Sequence, residues 1–245
     1  MIESTENKKI KFIKKLNSQT KFRKKEKQFV LENKQAILEL IKNRPNLIAF
    51  IVITDKHIDI KSAAEKKRIP FYICSKTCAY YMSSVKEPMG CFAVIEQATI
   101  NPNEINTTLA IALYNIKSPS NCGAIIRNAH AFGCGAIYLI GSCCDPFHPE
   151  SIRATAGHIV SIPIIEKESI DTVSGYMYWK LDIHASTPIM DVPKDKKICF
   201  ILGSETGFDE DSLEGVKSCY IPMKNDTDSL NVAATSAIVL YHYTR

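Results

Sequence analysis

The chain has 245 residues, of which 45% are hydrophobic and 23% are charged, and its formal net charge is +5. This balance is typical of a globular protein with one large or two smaller domains, and it excludes whole-chain disorder and a coiled coil. No apolar run approaches the roughly 18 residues of a membrane-spanning helix, and the first residues lack the apolar core of a signal peptide. We therefore expect a soluble, cytoplasmic protein without a membrane partner.

Strands and helices alternate along most of the sequence. Apolar periodicity predicts helices at residues 33–42, 58–68, from 75 onward, 120–132, 149–155, 168–177 and 231–243. Short apolar runs rich in β-branched residues predict strands at residues 47–53, 69–74, 91–95, 109–115, 136–141, 162–166, 181–185 and 198–203. A polar break at residues 96–106 is the best domain boundary, so we predict two α/β domains, 1–97 and 106–245. The alternation after the break predicts a parallel sheet covered on both faces.

The positive charge is concentrated at the N-terminus. Residues 1–34 carry eleven basic and four acidic side chains, a net charge of +7, whereas residues 35–245 carry a net charge of −2. Apolar side chains recur among these lysines, which predicts short amphipathic helices docked on a folded body. A solvated charged surface would explain the run, but a docked basic surface is also what attracts a phosphate backbone. The charge distribution favours nucleic-acid contact.

The nine cysteines are an odd number, and no C-x-x-C pair occurs among them. Only Cys74 and Cys78 have a spacing that suggests half of a zinc site, and zinc needs two such halves. Free, buried thiols in a reducing compartment are the better interpretation. No metal site is predicted.

The first of three polar clusters follows the predicted strand at residues 109–115 and opens a helix. It contains Asn121, Gly123 and Arg127, at the sheet edge where open α/β proteins bind their ligands. Asn121 is suited to cap the helix, and Arg127 lies within its early turns. A capped helix with a surface arginine would also explain this cluster when it is taken alone.

The other two clusters also follow apolar segments. Gly203 and Gly207 flank Glu205, so the backbone there can approach a ligand closely while the carboxylate accepts hydrogen bonds. The third cluster runs from residues 221–223 (IPM) to Ser229 and Asn231, either of which suits the N-cap of the last helix. No G-x-G-x-x-G fingerprint occurs, which argues against a dinucleotide-dependent oxidoreductase.

Taken together, in this order and spacing, the three clusters resemble the motifs of the SpoU (TrmH-like) family of RNA ribose 2′-O-methyltransferases, within the SPOUT class. The motif N-x-G-x-x-x-R is matched at residues 121–127, G-x-E followed by Gly at 203–207, and I-P-M…S-L-N at 221–231. The resemblance covers the whole C-terminal domain, including residues 153–157 (RATAG). The N-terminal domain is similar, more loosely, to the family's accessory substrate-binding domain, whose fold occurs in certain large-subunit ribosomal proteins.

The resemblance implies an α/β fold in which the C-terminal parallel-sheet domain contains a deep trefoil knot and follows a small α/β substrate-binding domain. It implies S-adenosylmethionine as cofactor, RNA as partner and homodimerisation through the knot helices, with Ala233, Ala237 and Leu240 at the interface. The implied reaction is methylation of a ribose 2′-hydroxyl, and we favour 23S ribosomal RNA over transfer RNA as the substrate. A non-catalytic RNA-binding or ribosome-assembly protein that kept the fold is the competing interpretation.

The family's site residues carry over to the matching positions of this sequence. The implied catalytic residue is Arg127, with Asn121, Ser229 and Asn231 orienting it and the ribose, and with Glu205 bracing the cofactor loop. The implied cofactor-binding residues are Gly203, Ile221, Leu230, Ser229 and Ala185. For contacts with RNA we predict Lys14, Lys21, Arg23, Lys24 and Arg153.

Overall fold

The computed structural model describes residues 1–98, 105, 107–170, 175–204, 207, 208, 213, 215–225 and 229–245. Its helices are α1 Lys8–Ser18, α2 Thr20–Glu26, α3 Lys34–Asn43, α4 Ile58–Lys66, α5 Lys76–Met82, α6 Pro119–Ala131, α7 Pro149–Ala154 and α8 Val232–Tyr243. Its strands are β1 Gln28–Leu31, β2 Ile48–Ile53, β3 Phe71–Ile73, β4 Cys91–Glu96, β5 Leu109–Tyr114, β6 Ala136–Ile140, β7 Ile164–Lys167, β8 Met177–Leu181, β9 Thr187–Pro188, β10 Ile198–Leu202 and β11 Lys217–Tyr220. Within the described residues, no helix is long and apolar enough to cross a membrane.

Contacts divide the chain into two compact units. The N-terminal unit comprises Met1–Thr99 and Phe147–Gly157, and the C-terminal unit comprises Ile100–Pro146 and His158–Arg245. Most of the predicted break at residues 96–106 lies outside the described residues, so the predicted domain limits stay a prediction.

The N-terminal unit is built on a four-stranded mixed sheet with the order β1-β4-β2-β3. Strand β4 is antiparallel to both of its neighbours, whereas β2 and β3 are parallel. Helix α1 covers one face, because Ile10, Ile13 and Leu16 recur at helical spacing and are fully buried against the sheet. The predicted amphipathic helices at the N-terminus are confirmed as α1 and α2.

Strand β1 was not predicted from the sequence. It has only four residues and begins directly after α2, too short a run for periodicity to separate a strand from a helix. Lys27 ends α2 in a left-handed conformation with φ 53°, and this conformation turns the chain into β1. Antiparallel pairing with β4 then buries Phe29, Val30 and Leu31.

The segment Phe147–Gly157 packs with the N-terminal unit, although it lies far from it in sequence. The rings of Phe147 and Phe29 stack with centroids 4.9 Å apart. Gly157 has φ 98°, and a Cβ atom there would lie 2.6 Å from the Cβ of Ala36. A side chain at residue 157 would therefore be both strained and in collision, which explains the glycine.

The C-terminal unit contains a seven-stranded parallel sheet with the order β7-β6-β5-β10-β8-β11-β9. Every residue of β5, β6 and β10 is buried, as expected for central strands covered on both faces. The prediction of a parallel α/β sheet is confirmed. The trefoil knot stays a prediction, since strand order alone does not define a knot.

In the second half of the sheet one prediction was wrong, and another lies partly outside the described residues. The centre of the helix expected at 168–177, residues 171–174, lies outside the described residues, and only its last residue, Met177, is shown to belong to β8 instead. The strand expected at 181–185 is instead the end of β8 followed by a turn, in which the Ala185 N–H donates to the Asp182 carbonyl oxygen. Four of the five residues of β8 (MYWKL) are apolar or aromatic, but the prediction divided this run between a helix and the following strand.

All nine cysteines are free, and seven of them are buried. Desolvation raises the pKa of Cys74 and of Cys219 to about 12, so these thiols stay protonated and unreactive at neutral pH. No cluster of three or more metal-ligating side chains occurs among the described residues. The seven buried cysteines therefore act as small apolar core residues.

Candidate active site

The predicted cofactor positions follow three neighbouring parallel strands. Strands β5, β10, β8 and β11 lie side by side in this order, and all are parallel. Gly203 comes directly after β10, Ala185 follows β8 and Ile221 comes directly after β11. Because parallel strands end at the same edge of a sheet, these three positions lie along one edge, where open α/β sheets bind ligands.

Gly203 lies against an aromatic side chain. A Cβ atom at residue 203 would lie 2.9 Å from Cζ of Phe208, whose ring in turn lies 5.7 Å from the ring of Tyr114. The Gly207 N–H donates to the Ser204 carbonyl oxygen at 2.9 Å. Glu205, the predicted brace of this loop, lies outside the described residues.

Helix α6 begins differently from the prediction. Its N-cap is Ser118, whose hydroxyl accepts a hydrogen bond from the backbone N–H of Asn121 at 3.3 Å, and Pro119 occupies the first helical position. Asn121 therefore does not cap the helix. Its side chain instead contacts Asn231, which lies 110 positions later in the sequence.

Asn231 is the N-cap of α8. Its Oδ1 atom accepts from the backbone N–H groups of Ala233 at 2.9 Å and Ala234 at 3.4 Å, as expected for a capping asparagine. Its Nδ2 atom donates to Oδ1 of Asn121 at 3.1 Å. The structure thus brings the first and third sequence motifs together, as the resemblance implied.

A second link joins the same two helices. The amide of Asn128 donates to the Ala233 carbonyl oxygen and to the Ser236 hydroxyl, both at 2.9 Å. Sequence reasoning missed this residue. The available signal was an asparagine inside a helix, an unfavourable position unless its side chain is hydrogen-bonded elsewhere.

Arg127 lies directly before Asn128 and is exposed. Successive side chains on a helix diverge by about 100°, so Arg127 points away from the face of α6 that contacts α8. It forms no hydrogen bond or ion pair with the described part of the chain. Helix α6 is fixed to α8 by these hydrogen bonds, and it presents the permanently charged Arg127 guanidinium to solvent, where a substrate can bind it.

Ser229 and Leu230 come directly before the cap of α8. Ser229 is exposed and Leu230 is half-buried, while residues 226–228 lie outside the described residues. Because Asn231 contacts Asn121, these two residues lie close to the start of α6.

The RNA contacts predicted on the first two helices need one correction. Lys21 and Lys24 are exposed, and Lys14 lies with its Nζ atom 5.6 Å from the ring centroid of Tyr81. Arg23, in contrast, is only 1% exposed. Its guanidinium donates to the Leu16 carbonyl oxygen at 2.6 Å and to the Thr20 hydroxyl at 2.8 Å, so it joins α2 to α1 and does not reach RNA.

Arg153 is exposed and donates to the Ser84 hydroxyl at 2.8 Å. The neighbouring carboxylate of Glu32 accepts from the Ser83 hydroxyl at 2.6 Å and from the Ser84 N–H at 3.4 Å. Burial raises the pKa of Glu32, and these hydrogen bonds and Arg153 oppose the rise. Arg153 thus keeps a solvent-facing charge while it is held at the end of α5.

Comparison with known proteins identifies the family of this chain. The SpoU rRNA Methylase family model matches residues 108–241, and the chain therefore belongs to this family. The chain is 28% identical over 250 residues to the 23S rRNA (guanosine(2553)-2′-O)-methyltransferase RlmP of Bacillus subtilis (strain 168), with 98% of each chain covered. It is 26% identical over 141 residues to the 23S rRNA (uridine(2479)-2′-O)-methyltransferase of Streptomyces viridochromogenes, covering 52% of this chain and 49% of that one.

Solved structures share the fold over nearly the whole chain. The AdoMet-bound rRNA methyltransferase from Sinorhizobium meliloti superposes with a TM-score of 0.86 at 23% identity, covering 99% of this chain and 96% of that one. The SpoU methyltransferase AviRb from Streptomyces viridochromogenes, in complex with AdoMet, gives a TM-score of 0.86 at 20% identity, with 97% of each chain covered. The expected fold class is confirmed.

Proposed function

We propose that this chain transfers the methyl group of S-adenosylmethionine to a ribose 2′-hydroxyl of RNA, and that the RNA is 23S ribosomal RNA. The observation that carries the proposal is the hydrogen bond between Asn121 and Asn231. It fixes the starts of α6 and α8 together at the carboxyl edge of the sheet, and Arg127 is exposed on the same α6. The named relatives that methylate 23S rRNA support the choice of substrate.

The residues along the sheet edge suit this cofactor. S-adenosylmethionine supplies a methyl group on a sulfonium, whose sulfur leaves as a neutral thioether without help from an acid. Gly203, Ala185, Ile221 and Leu230 offer backbone groups and small or apolar side chains, which suit an adenine and a ribose. The cofactor has no phosphate, so the site needs no glycine-rich phosphate loop.

Arg127 activates the ribose 2′-hydroxyl, which is a weak nucleophile. A ribose hydroxyl attacks only when it is aligned and when its proton is lost, and alignment can supply roughly 7–11 kcal/mol of the barrier. The Arg127 guanidinium donates to the ribose oxygen and stabilises the negative charge that develops there. Because an arginine stays charged in proteins, the proton passes to a phosphate oxygen of the RNA or to water. Asn121 and Asn231 hold the helix from which Arg127 projects.

The exposed cations of the N-terminal unit bind the RNA backbone in this proposal. Lys21, Lys24 and Arg153 are exposed, Lys14 is half-buried, and the first 34 residues carry a net charge of +7. Such contacts release counterions, so the affinity for RNA falls steeply with salt. The free thiols fit a reducing compartment, and we place the reaction in the cytoplasm.

Helix α8 also offers a surface for a second copy of the chain. Ile238 and Tyr241 are 40% and 54% exposed, and they lie one turn apart. Leu240, expected at the interface, is fully buried inside its own unit, which corrects that part of the prediction. Light scattering at micromolar concentration should give a dimer that Ile238→Glu dissociates, whereas Met190→Glu, at another exposed position, should not. A monomeric wild type would contradict the dimer.

Cofactor binding provides a direct test of the class of enzyme. A ligand that binds only the native state stabilises it by about 2.7 kcal/mol at a hundred times its Kd. We expect S-adenosylmethionine to raise the Tm and NAD to leave it unchanged. No shift with S-adenosylmethionine would contradict the proposal and would favour a non-catalytic RNA-binding protein. Methyl transfer to transfer RNA but not to 23S rRNA would keep the chemistry and overturn the substrate.

A further inference from the structure

Helix α5 presents two adjacent tyrosines to solvent. Tyr80 is 59% exposed and Tyr81 is 38% exposed, whereas Cys78, Ala79 and Met82 of the same helix are buried. Helix α5 therefore anchors itself through one face and turns two aromatic rings outward. Aromatic side chains are enriched where a protein meets a partner, because one flat ring offers a large contact area at a small entropic cost.

A cation from another helix lies beside this tyrosine pair (Tyr80 and Tyr81), and a second cation is held beyond the end of α5. The Nζ atom of Lys14 in α1 lies 5.6 Å from the Tyr81 ring centroid. Helix α1 is fixed there, because the Asn17 amide donates to the Met82 carbonyl oxygen at 2.9 Å. Beyond the end of α5, the guanidinium of Arg153 in α7 donates a hydrogen bond to the Ser84 hydroxyl. Lys14 thus lies beside Tyr81, and Arg153 lies past the C-terminal end of the same helix.

Nearby carboxylates compensate this charge only in part. Glu6 is paired with Lys11 on α1. Glu32 is half-buried and directs its carboxylate to Ser83 and Ser84, whose donors occupy it. Lys14 therefore keeps its charge available for an anionic partner, and Arg153, which also interacts with Glu32, stays exposed to the same partner.

The unit contains a second group of aromatic rings, and this group is already covered. Phe50 and Tyr72 contact each other, with ring centroids 6.1 Å apart. The ammonium of Lys9 lies 5.0 Å from the centroid of Phe50 and 4.4 Å from that of Tyr72. These rings are half-buried and packed against the core under α1, which gives them a role in the fold. The tyrosine pair is more exposed and contributes to no such cluster.

We propose that the tyrosine pair stacks on unpaired nucleobases of the RNA substrate, while Lys14 and Arg153 bind the adjoining phosphates. This inference rests on the proposed function, since it specifies which form of RNA the N-terminal unit recognises. Stacking on aromatic rings tolerates any base, because every base has a π-face, but it needs bases that are free of a duplex. The N-terminal unit therefore prefers single-stranded segments to duplexes, a preference that phosphate contacts alone do not give.

Binding to two RNA probes tests the proposal in the full-length protein. The probes are a fluorescein-labelled oligoadenylate of about 12 nucleotides, a length within the usual single-strand site sizes, and a duplex of equal length. The variants are Tyr80→Ala with Tyr81→Ala, the same pair changed to Phe, and the same pair changed to Leu. Ile58→Ala, at a 72% exposed apolar position of the same unit, is the matched control.

We expect the double alanine variant to lose at least about fivefold in affinity for the oligoadenylate, since stacking is worth about 1–3 kcal/mol per base. The Phe variant should bind like wild type, the Leu variant should bind weakly, and the duplex affinity should not change. The dependence of log Kd on log salt should keep its slope in the tyrosine variants. In Lys14→Ala the slope should fall by roughly 0.7, because one phosphate contact on a single strand is lost.

Unchanged oligoadenylate binding by a double alanine variant with a wild-type Tm would overturn the stacking role. Equal losses for the oligoadenylate and the duplex would overturn it as well. Methyl transfer to 23S rRNA, measured in parallel, separates this result from the proposed function. A wild type that methylates and tyrosine variants that bind normally would contradict the stacking alone, whereas intact stacking with no transfer by the wild type would contradict the proposed function alone.

Discussion

The two units of this chain place their polar residues in different ways. In the C-terminal unit, a wholly parallel sheet ends at one edge, so residues as far apart in sequence as Asn121 and Asn231 meet there. In the N-terminal unit the sheet is mixed, and its cations lie on the outer faces of α1 and α2. The parallel sheet thus brings its polar residues together at one edge. The helices that cover the mixed sheet instead spread charge over a wide surface suited to RNA.

The largest expected effect tests the site at the edge of the parallel sheet in the C-terminal unit. Arg127→Ala should lower kcat by about 10³-fold, as the loss of a residue that stabilises developing charge does in other enzymes. The affinity for S-adenosylmethionine should stay close to that of the wild type, because Arg127 projects from α6 and not from the loops after β8, β10 and β11. Single-turnover transfer and thermal stabilisation by the cofactor measure the two quantities. Equal losses of both would assign Arg127 a structural role.

The next effect sharpens the contrast between buried and exposed cations in the N-terminal unit. Arg23→Ala should reduce the free energy of unfolding by about 2–4 kcal/mol, because it leaves the Leu16 carbonyl oxygen without its donor and opens a cavity. Lys21→Ala, at an exposed position two residues earlier, should change stability by less than about 0.5 kcal/mol. Urea unfolding measures both. An Arg23→Ala protein as stable as the wild type would contradict the structural role of Arg23 and would make it again a candidate for contact with RNA.

A smaller effect measures how firmly the two helix starts are joined. In a double-mutant cycle with Asn121→Ala and Asn231→Ala, we expect a coupling energy of about 1 kcal/mol in stability, the net value of one hydrogen bond. Asn231→Ala alone should cost about 1 kcal/mol more than Asn121→Ala, because it also removes the N-cap of α8. Additive single effects would mean that the bond between them contributes nothing.

The smallest effect is a pH dependence in the N-terminal unit. Burial raises the pKa of Glu32 above its usual 4.5, so the stability linked to its protonated form is complete below that value and is lost as the pH rises through the folded-state pKa. Glu32→Gln cannot ionise, and it should therefore gain stability relative to the wild type between acidic and neutral pH. Urea unfolding across this range checks the sign, with Glu39→Gln, at an exposed position of α3, as control. A difference that does not vary with pH would contradict it.

The sequence predicted the parts of the fold that depend on continuous burial. Strands β5, β6 and β10 are buried along their whole length, so their apolar runs were visible. Strand β11 (KSCY) has no apolar run and buries only Cys219, so the sequence did not reveal it. The apolar run of β8 (MYWKL) is visible, but it was divided between a predicted helix and a predicted strand.

The site shows the same division. The motifs predicted that Asn121 and Asn231 would serve one site, because the order and spacing of the motifs can be recognised without any knowledge of contacts. They did not reveal Asn128, whose two partners lie on another helix. They also did not separate Arg23 from its lysine neighbours, since a charge in a sequence does not show whether the backbone around it supplies acceptors.

The most direct test is transfer of radiolabelled methyl from S-adenosylmethionine to separated 23S rRNA and transfer RNA pools, with the Arg127→Ala protein as blank. We predict label in 23S rRNA alone, only with the wild type, and in nucleotides that resist alkaline hydrolysis because their 2′-oxygen is blocked. Label in a base, or equal labelling by the Arg127→Ala protein, would contradict the assignment of ribose chemistry to the edge where α6 and α8 begin.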